Sequence, residues 1–357
     1  MARPLTLSID AMGGDYAPDM VVAGCAISRI RHPDVHFLMH GPKDKLEPLL
    51  AKHAELAAST KIRDDTAVVG MDDKPSQALR RGRATTMWRT IEAVRHHDAD
   101  VAVSAGNTGA LMAMAKFQLK PMAGIHRPAI ATIWPTMRGQ TVLLDAGANV
   151  GCDAYQLVDF AIMGEAFARV LFGLARPTVG LLNIGIEEMK GTEALKSAAQ
   201  VLRQAKLPLQ FHGFVEGDDI CAGTVDVVVT DGFTGNVALK AAEGTARLVG
   251  KYLRDSLNRS LLARIGAFLA SGAFKVLKKK MDPRTANGGV FLGLNGVVVK
   301  SHGGTDGFGF ASAVDLGVDM AKGGIVQGIA ADLAALTPDL FQQPAHAKSV
   351  PMGAAAS

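Results

Sequence analysis

The sequence predicts an α/β protein built on a largely parallel sheet flanked by helices, and three observations carry that reading. Short β-branched runs alternate with helical stretches over most of the length. Glycines gather at the ends of the strand-like runs instead of in linkers, which argues against modules joined by flexible connectors. No short-period repeat breaks the alternation. With 357 residues, 48% of them hydrophobic and 20% charged, the chain can fill one large domain or two lobes sharing a sheet.

In chain order, strands are expected near residues 5–9, 35–39, 67–69, 101–103, 129–133 and 141–144, then 178–183, 209–211, 225–229 and 296–300. Helices are expected over much of 77–95, 110–117, 155–172, 192–204, 237–257 and 314–333. The stretch 254–280 differs from the rest. Leu261, Leu262, Ile265, Phe268 and Leu269 fall at helical spacing on one face, which Val276 and Leu277 prolong. Arg259, Arg264, Lys275 and Lys278-Lys-Lys280 surround that face with positive charge. Two readings stay open: an amphipathic helix packed on a core or dimer partner, and a surface helix touching anionic lipid.

Composition narrows the function classes. A formal charge of +4 is too small to imply nucleic acid, and two Trp and three Tyr provide no base-stacking surface. Cys25, Cys152 and Cys221 are odd in number and lack metal spacing, so reduced thiols in a cytoplasmic protein are expected. The strand-like run beginning at Leu5 leaves no room for a signal peptide, and no run of about 20 apolar residues suggests a spanning helix. No His/Asp cluster at ligand spacing points to a metal, and no cofactor is expected. Residues 1–340 are read as one domain with the amphipathic insertion near 254–280, followed by a flexible tail over 341–357.

Chemistry concentrates in three segments, Ser104-Ala-Gly-Asn-Thr-Gly-Ala110, Asp145-Ala-Gly-Ala-Asn149 and Asp231-Gly-Phe-Thr-Gly-Asn236. They follow the apolar runs Val101-Ala-Val103, Val142-Leu-Leu144 and Val227-Val-Val229. Glycine lets backbone approach a ligand, Asn and Thr add neutral donors, and a helix start offers free N–H groups to an anion. One crevice for a phosphorylated or phosphate-like substrate is the expectation; ordinary βα turns, which use the same residues, are the alternative.

Four further motifs complete an ordered set: Asp10-Ala-Met-Gly-Gly-Asp15, Leu181-Leu-Asn-Ile-Gly-Ile-Glu-Glu-Met-Lys-Gly191, Gly213-Phe-Val-Glu-Gly217 and Lys300-Ser-His-Gly303. From about Leu5 to Gly323 the chain closely resembles the bacterial phosphate acyltransferases, the PlsX-type fatty acid and phospholipid synthesis proteins. Ile186 departs from the acidic residue expected there in many relatives and receives no role. The resemblance implies a three-layer α/β/α fold like that of the phosphotransacetylases and the isocitrate/isopropylmalate dehydrogenases. It implies transfer of a fatty acyl group from acyl carrier protein to inorganic phosphate. It further implies a cytoplasmic homodimer at the membrane face, feeding acyl phosphate to a membrane glycerol-phosphate acyltransferase.

Attack of phosphate on a thioester needs a held anion, a stabilised oxyanion and exclusion of water, with no obligatory strong base. Lys190 is the first candidate for a charged contact, and the resemblance matches it to the family's functional lysine; pairing with Glu187 or Glu188 is the structural alternative. Asn236 matches the functional asparagine and can donate to an oxyanion without a pKa shift, while a helix N-cap is its ordinary role. Asn107, Thr108, Thr234 and the amides of Gly106 and Gly235 are further donors. Gly13, Gly14 and Ser104 line the same candidate site. Asp10, Asp145, Asn149 and Asp231 stand at strand ends, where ligand sites occur in open α/β sheets. The aspartates would repel bare phosphate and are expected to orient loops. His302 is a proton donor or hydrogen-bond candidate, and Arg127 a contact to phosphate or acidic carrier protein.

No catalytic Cys-His pair surrounds Cys152 and no Gly-x-Ser-x-Gly elbow occurs, so direct displacement is favoured over a covalent acyl-enzyme. The competing readings are an acetyl-CoA-type phosphotransacetylase, a nicotinamide-dependent decarboxylating dehydrogenase and a non-catalytic membrane-associated scaffold.

Overall fold

The computed structural model describes residues 3–280 and 282–335. The tail expected over 341–357 lies outside the described residues. The strands are β1 (Thr6–Asp10), β2 (His36–Gly41), β3 (Thr60–Asp64), β4 (Val101–Ser104), β5 (Ala129–Thr136) and β6 (Gly139–Leu144). They continue with β7 (Thr178–Leu182), β8 (Gln210–Val215), β9 (Val227–Val229), β10 (Gly289–Leu292) and β11 (Val297–Lys300). The helices begin with α1 (Asp19–Arg31), α2 (Lys43–Leu50), α3 (Ala54–Ala58), α4 (Pro75–Arg81), α5 (Thr86–Arg95), α6 (Thr108–Leu119) and α7 (Ala154–Phe172). They end with α8 (Glu193–Gln204), α9 (Gly217–Ala222), α10 (Gly232–Asn258), α11 (Leu261–Leu269), α12 (Ser271–Lys280), α13 (Gly307–Lys322) and α14 (Ile325–Ala335).

All these strands join one sheet in the order β3-β2-β1-β4-β11-β10-β5-β6-β9-β7-β8. Parallel pairing holds β3-β2-β1-β4-β11 together and, separately, β6-β9-β7-β8. Between these blocks the steps β11-β10, β10-β5 and β5-β6 are antiparallel. Three reversals leave the two parallel blocks running in opposite directions. The register runs from Ser104 across Lys300, Gly289 and Thr132 to Leu143, so their C-terminal edges meet at one level in the middle of the sheet.

The expected three layers are present, and the strand sequences show why. In β4, Val101 and Val103 face one core with α1, α7 and α13, while Ala102 faces a second core with α5 and α6. In β9, Val227 and Val229 enter the first core, and Val228 a third beneath α9 and the start of α10. A strand covered on both faces must be apolar at every position, hence the continuous runs.

The structure departs from expectation at sheet edges and helix breaks. Residues 67–69 form no strand: Ala67 makes only an isolated bridge to Thr85. The edge strand is β3 instead, whose Lys61, Arg63 and Asp64 are exposed; a charged edge discourages pairing with another chain but hides the apolar signal. The helix expected over 77–95 breaks at a short 3-10 turn, Gly82–Ala84, and restarts where Thr85 Oγ1 accepts the Trp88 N–H. The helix expected over 314–333 splits into α13 and α14 around Gly323 and Gly324, the second at φ +64°. Neither α1 nor the four-residue β10 was anticipated.

The amphipathic stretch is three helices. Ser260 stops continuation of α10 by capping α11, its Oγ accepting the Ala263 N–H. Of α10, only Gly232 and Gly235 in the first turn are buried, and α11 buries nothing. Leu261, Leu262, Phe268 and Leu269 are each more than two-thirds exposed, an apolar face without a partner in the single chain.

This division of core from extension gives a direct contrast in stability. Phe160→Ala, at a fully buried position of α7, is expected to lower the unfolding free energy by about 3–5 kcal/mol. Leu262→Ala is expected to change it by less than about 0.5 kcal/mol, both measured by urea denaturation.

Candidate active site

The turns at the ends of β6 and β9 interlock around one carboxylate. Asp145 Oδ1 accepts the N–H groups of Ile130 (3.0 Å), Gly147 (3.1 Å) and Ala148 (3.0 Å). Its Oδ2 accepts Asn149 N–H at 2.8 Å and Asn149 Nδ2–H at 2.9 Å, and Asn149 Nδ2 also donates to Pro128 O at 3.0 Å. Asp231 caps α10, with Oδ1 accepting Thr234 N–H (2.9 Å) and Oδ2 accepting Thr234 Oγ1–H (2.8 Å). The two turns touch through glycine: a Cβ on Gly235 would stand 2.0 Å from Asp145 O, and one on Gly232 2.5 Å from Asn149 O. Asp145, Asn149, Asp231 and Thr234 thus spend their side chains on the scaffold.

Asn236 emerges from this scaffold over Gly147, where a Cβ would sit 3.4 Å from Asn236 Cβ. Its side chain is exposed and makes no hydrogen bond among the described residues. Asn236 is not the N-cap considered above, because Asp231 starts α10 five residues earlier. Its amide is left uncommitted.

Lys190 closes the loop after β7, the strand next to β9 in the sheet. Asn183 organises that loop by donating from Nδ2 to Gly185 O (3.0 Å) and Lys190 O (3.2 Å). Gly191 at φ +87° passes so close that a Cβ would meet Asn183 Oδ1 at 2.3 Å. Lys190 Nζ pairs with Glu187 Oε2 at 3.1 Å, both side chains about half exposed, while Glu188 pairs with Arg203. An exposed pair of this kind contributes little stability and opens readily for a stronger anion.

A second set of turns lies at the C-terminal ends of β1, β4 and β11, level with the first across β10 and β5. Buried Ser104 Oγ donates to Asp10 Oδ2 at 2.7 Å and accepts Gly106 N–H at 3.0 Å. Gly13 packs so tightly here that a Cβ would fall 2.7 Å from both Asp10 Oδ2 and Gly106 N. Gly14, at φ +108°, fits between Ala105 and Gly303. Asn107 caps α6 through Oδ1 and ties Met71 O (2.7 Å) and Asp73 O (3.0 Å) through Nδ2, so its side chain is fully engaged. Thr108 is exposed in the first turn of α6. Both sets of turns stand at one level of the sheet, as the single crevice expected from the sequence requires. The helix α10 joins them: Asn236 sits at one set, and Glu243 Oε1 reaches His302 Nε2, 3.7 Å away, at the other.

The family model described as "Fatty acid synthesis protein" matches residues 5–327. The chain belongs to this family. It is 60% identical over 334 residues to the phosphate acyltransferase of Parvibaculum lavamentivorans, covering 93% of this chain and 92% of that one. It is 59% identical to the phosphate acyltransferase of Xanthobacter autotrophicus, covering 95% of each. Membership places it among the acyltransferases. Two solved structures share its fold: a phosphotransacetylase from Streptococcus pyogenes (TM-score 0.60, 17% identity, 89% of this chain and 94% of that one) and the EutD phosphotransacetylase from Staphylococcus aureus (TM-score 0.58, 15% identity, the same coverage).

Beside these turns stand charged residues that the motifs alone left unassigned. Lys240 and Glu243 follow Asn236 by four and seven positions, so the three share one face of α10, and Lys240 Nζ pairs with Glu243 at 2.9 Å. That spacing was readable once α10 was known to begin before Asn236. Lys300, at the end of β11, donates to Ala105 O at 3.4 Å and to Ser301 O. Burial pulls its ammonium down to about 8, against the attraction of Asp10 and Asp15. Burial also holds His302 below the ordinary imidazole range; Glu243 opposes this, and Lys240 and Lys300 add to it. The surroundings of Cys152 disfavour its thiolate: burial first, then the Asp145 and Asp231 carboxylates, push its thiol up to about 12. Arg127 is exposed just before β5. Among the described residues no cluster of His, Cys, Asp and Glu is placed to hold a metal.

Because Gly235 meets backbone oxygen, the scaffold cannot yield by a rotamer change. Gly235→Ala is expected to destabilise the protein by about 1–3 kcal/mol and to displace Asn236, read as a lower melting temperature together with lost turnover.

Proposed function

We propose that this acyltransferase moves a long-chain acyl group from acyl carrier protein to inorganic phosphate. A phosphate oxygen attacks the thioester carbonyl, the C–S bond breaks, and acyl phosphate leaves with the carrier returning to its free thiol. One observation carries the reading. Asn236 offers an uncommitted amide, and Lys190 a loosely paired ammonium, at the ends of adjacent strands β9 and β7, with no activated nucleophile beside them. Such a site suits a displacement whose barrier is lowered by positioning and by donors aimed at developing negative charge. Phosphate brings its own charge, and thiolate leaves without strong acid. The names of the relatives support this choice of acceptor.

The same reading gives the apolar extension a purpose. We propose that α11 and α12, with the exposed end of α10, hold the enzyme as a homodimer against the inner face of the membrane. From there acyl phosphate would pass to a membrane glycerol-phosphate acyltransferase. Arg259, Arg264 and Lys275 flank the exposed Leu261, Leu262, Phe268 and Leu269, the combination that favours an anionic lipid surface. No described helix is long and apolar enough to cross a membrane. A phosphotransacetylase acting on acetyl-CoA is the second reading, favoured by the shared fold.

Acyl-phosphate formation from palmitoyl-acyl carrier protein and phosphate tests the first proposal. Lys190→Ala and Asn236→Ala are each expected to lower kcat by about 100-fold or more with unchanged circular dichroism. Turnover with acetyl-CoA and none with the carrier thioester would transfer the chain to the second reading. For the extension, sedimentation with anionic vesicles is expected to capture the parent protein and to lose the doubly substituted Leu261→Asp, Phe268→Asp variant. Equal binding by both would dismiss the membrane role of α11.

A further inference from the structure

Beside the β4–α6 turn the chain carries a cluster of charge that the chemical step leaves unused. From Lys74 to Arg83 it reads Lys-Pro-Ser-Gln-Ala-Leu-Arg-Arg-Gly-Arg, so Lys74, Arg80, Arg81 and Arg83 stand together with no carboxylate among them. That stretch alone holds as much positive charge as the formal net +4 of the whole chain. All four side chains are exposed, and among the described residues none of them makes an ion pair or a side-chain hydrogen bond. The next arginine, Arg89, is by contrast held by Glu92. A guanidinium offers five donors in a planar fork that matches a carboxylate, so three unpaired ones side by side suit carboxylates from outside the chain.

The fold pins the backbone that carries these arginines. Pro75 starts α4, and Ala78 enters the core that α5 and α6 share. At Gly82 the chain passes so close to α6 that a Cβ would stand 2.3 Å from Met114 Cε. Thr85 Oγ1 donates to Gly82 O at 2.6 Å and closes the short turn. Gly82 is therefore the inward residue of Arg-Arg-Gly-Arg, and the three arginines stand outside it on a fixed bend. A cluster held in this way loses less freedom on binding than one carried by a loose loop.

The same segment borders the candidate site. Through its bonds to Met71 O and Asp73 O, Asn107 fastens the loop that leads into α4 to the turn that opens α6. A Cβ on Gly109 would meet Pro75 Cγ at 2.6 Å, and one on Gly303 would meet Met71 Cε at 3.0 Å. Met71 is exposed and adds apolar surface at this end. Of the two carboxylates in the loop, Asp73 accepts the Gly70 N–H at 2.8 Å, and Asp72 is exposed. The seven residues of α4 span about 10 Å, so the arginines stand one short helix away from the turns of the site.

We propose that Arg80, Arg81 and Arg83 form the docking surface for an acidic protein partner, the acyl carrier protein that brings the thioester. Carboxylates of the carrier pair with the three guanidinium groups, and its acyl-bearing arm passes Met71 to reach the turns. The choice of carrier protein as the partner rests on the reading of the acyl donor given above. Charge complementarity favours an acidic protein here over a lipid surface. The cations of α11 surround a broad exposed apolar face, the arrangement a membrane selects, and those at the end of α4 do not. Pairing between exposed charges steers the encounter and weakens as salt is added.

The experiment measures binding and turnover separately, on the full-length enzyme and its R80E/R81E/R83E variant. Fluorescence anisotropy of labelled carrier protein at low salt is expected to show the variant binding at least about tenfold more weakly, with an unchanged melting temperature. In the acyl-phosphate assay, KM for palmitoyl-acyl carrier protein is expected to rise by about tenfold or more, with KM for phosphate within about twofold of the parent. Equal carrier affinity in parent and variant would overturn the docking surface, as would a parent that does not bind the carrier. A KM for phosphate that rises in step with that of the thioester would overturn it too. Should the reversed charges lower the melting temperature, R80A/R81A/R83A answers the same question with a smaller expected loss. Sedimentation with anionic vesicles that the variant loses while keeping its carrier affinity would give the cluster to the membrane instead. Absence of acyl-phosphate formation in the parent would overturn the proposed reaction, and carrier binding, read without turnover, would still decide the docking surface.

Discussion

The Asp145 carboxylate, accepting five N–H groups, is the interaction on which the rest of the site depends. It draws the start of β5, the turn after β6 and Asn149 into one knot, and α10 is seated on that knot through two glycines that tolerate no Cβ. The direction of α10, and with it the place of Asn236, is inherited from this carboxylate. A negative charge so fully satisfied by donors is an inert part of the frame.

This separates residues that build the site from those free to act in it. Asp10, Asp145, Asn149, Asp231, Ser104 and the Asn107 side chain are all occupied within the protein. Among the described residues Asn236 has no hydrogen-bond partner, Lys190 is loosely held, and His302 faces Glu243 at a distance beyond a strong hydrogen bond. Rigid acceptors inside with exposed donors outside is the arrangement expected where electrostatic preorganisation supplies the catalysis.

Much of this was legible in the sequence, and the unread parts have physical causes. The runs Val101–Val103 and Val227–Val229 declare strands because both of their faces are covered. The edge strand β3 has one face to satisfy and charged residues on the other, so its pattern resembles a loop. Glycine and asparagine announced the turns that follow β4, β6 and β9. Spacing along the chain does not encode strand direction, and it is the antiparallel passage through β10, β5 and β6 that sets the two blocks head to head with their turns at one level. Lys300 stood inside a quoted motif, but nothing local shows that folding would bury its ammonium.

The length of α10 has a mechanical consequence. Its 27 residues make a rod about 40 Å long, anchored at Asp145 and carrying α11 and α12 at its far end. Asn236 stands about 6 Å from the anchor. A tilt of about 5° about that anchor would carry the tip roughly 3.5 Å and the Asn236 backbone roughly 0.5 Å, by the same rod geometry. The far end can follow an uneven, fluctuating surface while the amide holds nearly still, so compliance and precision are separated by distance along one helix.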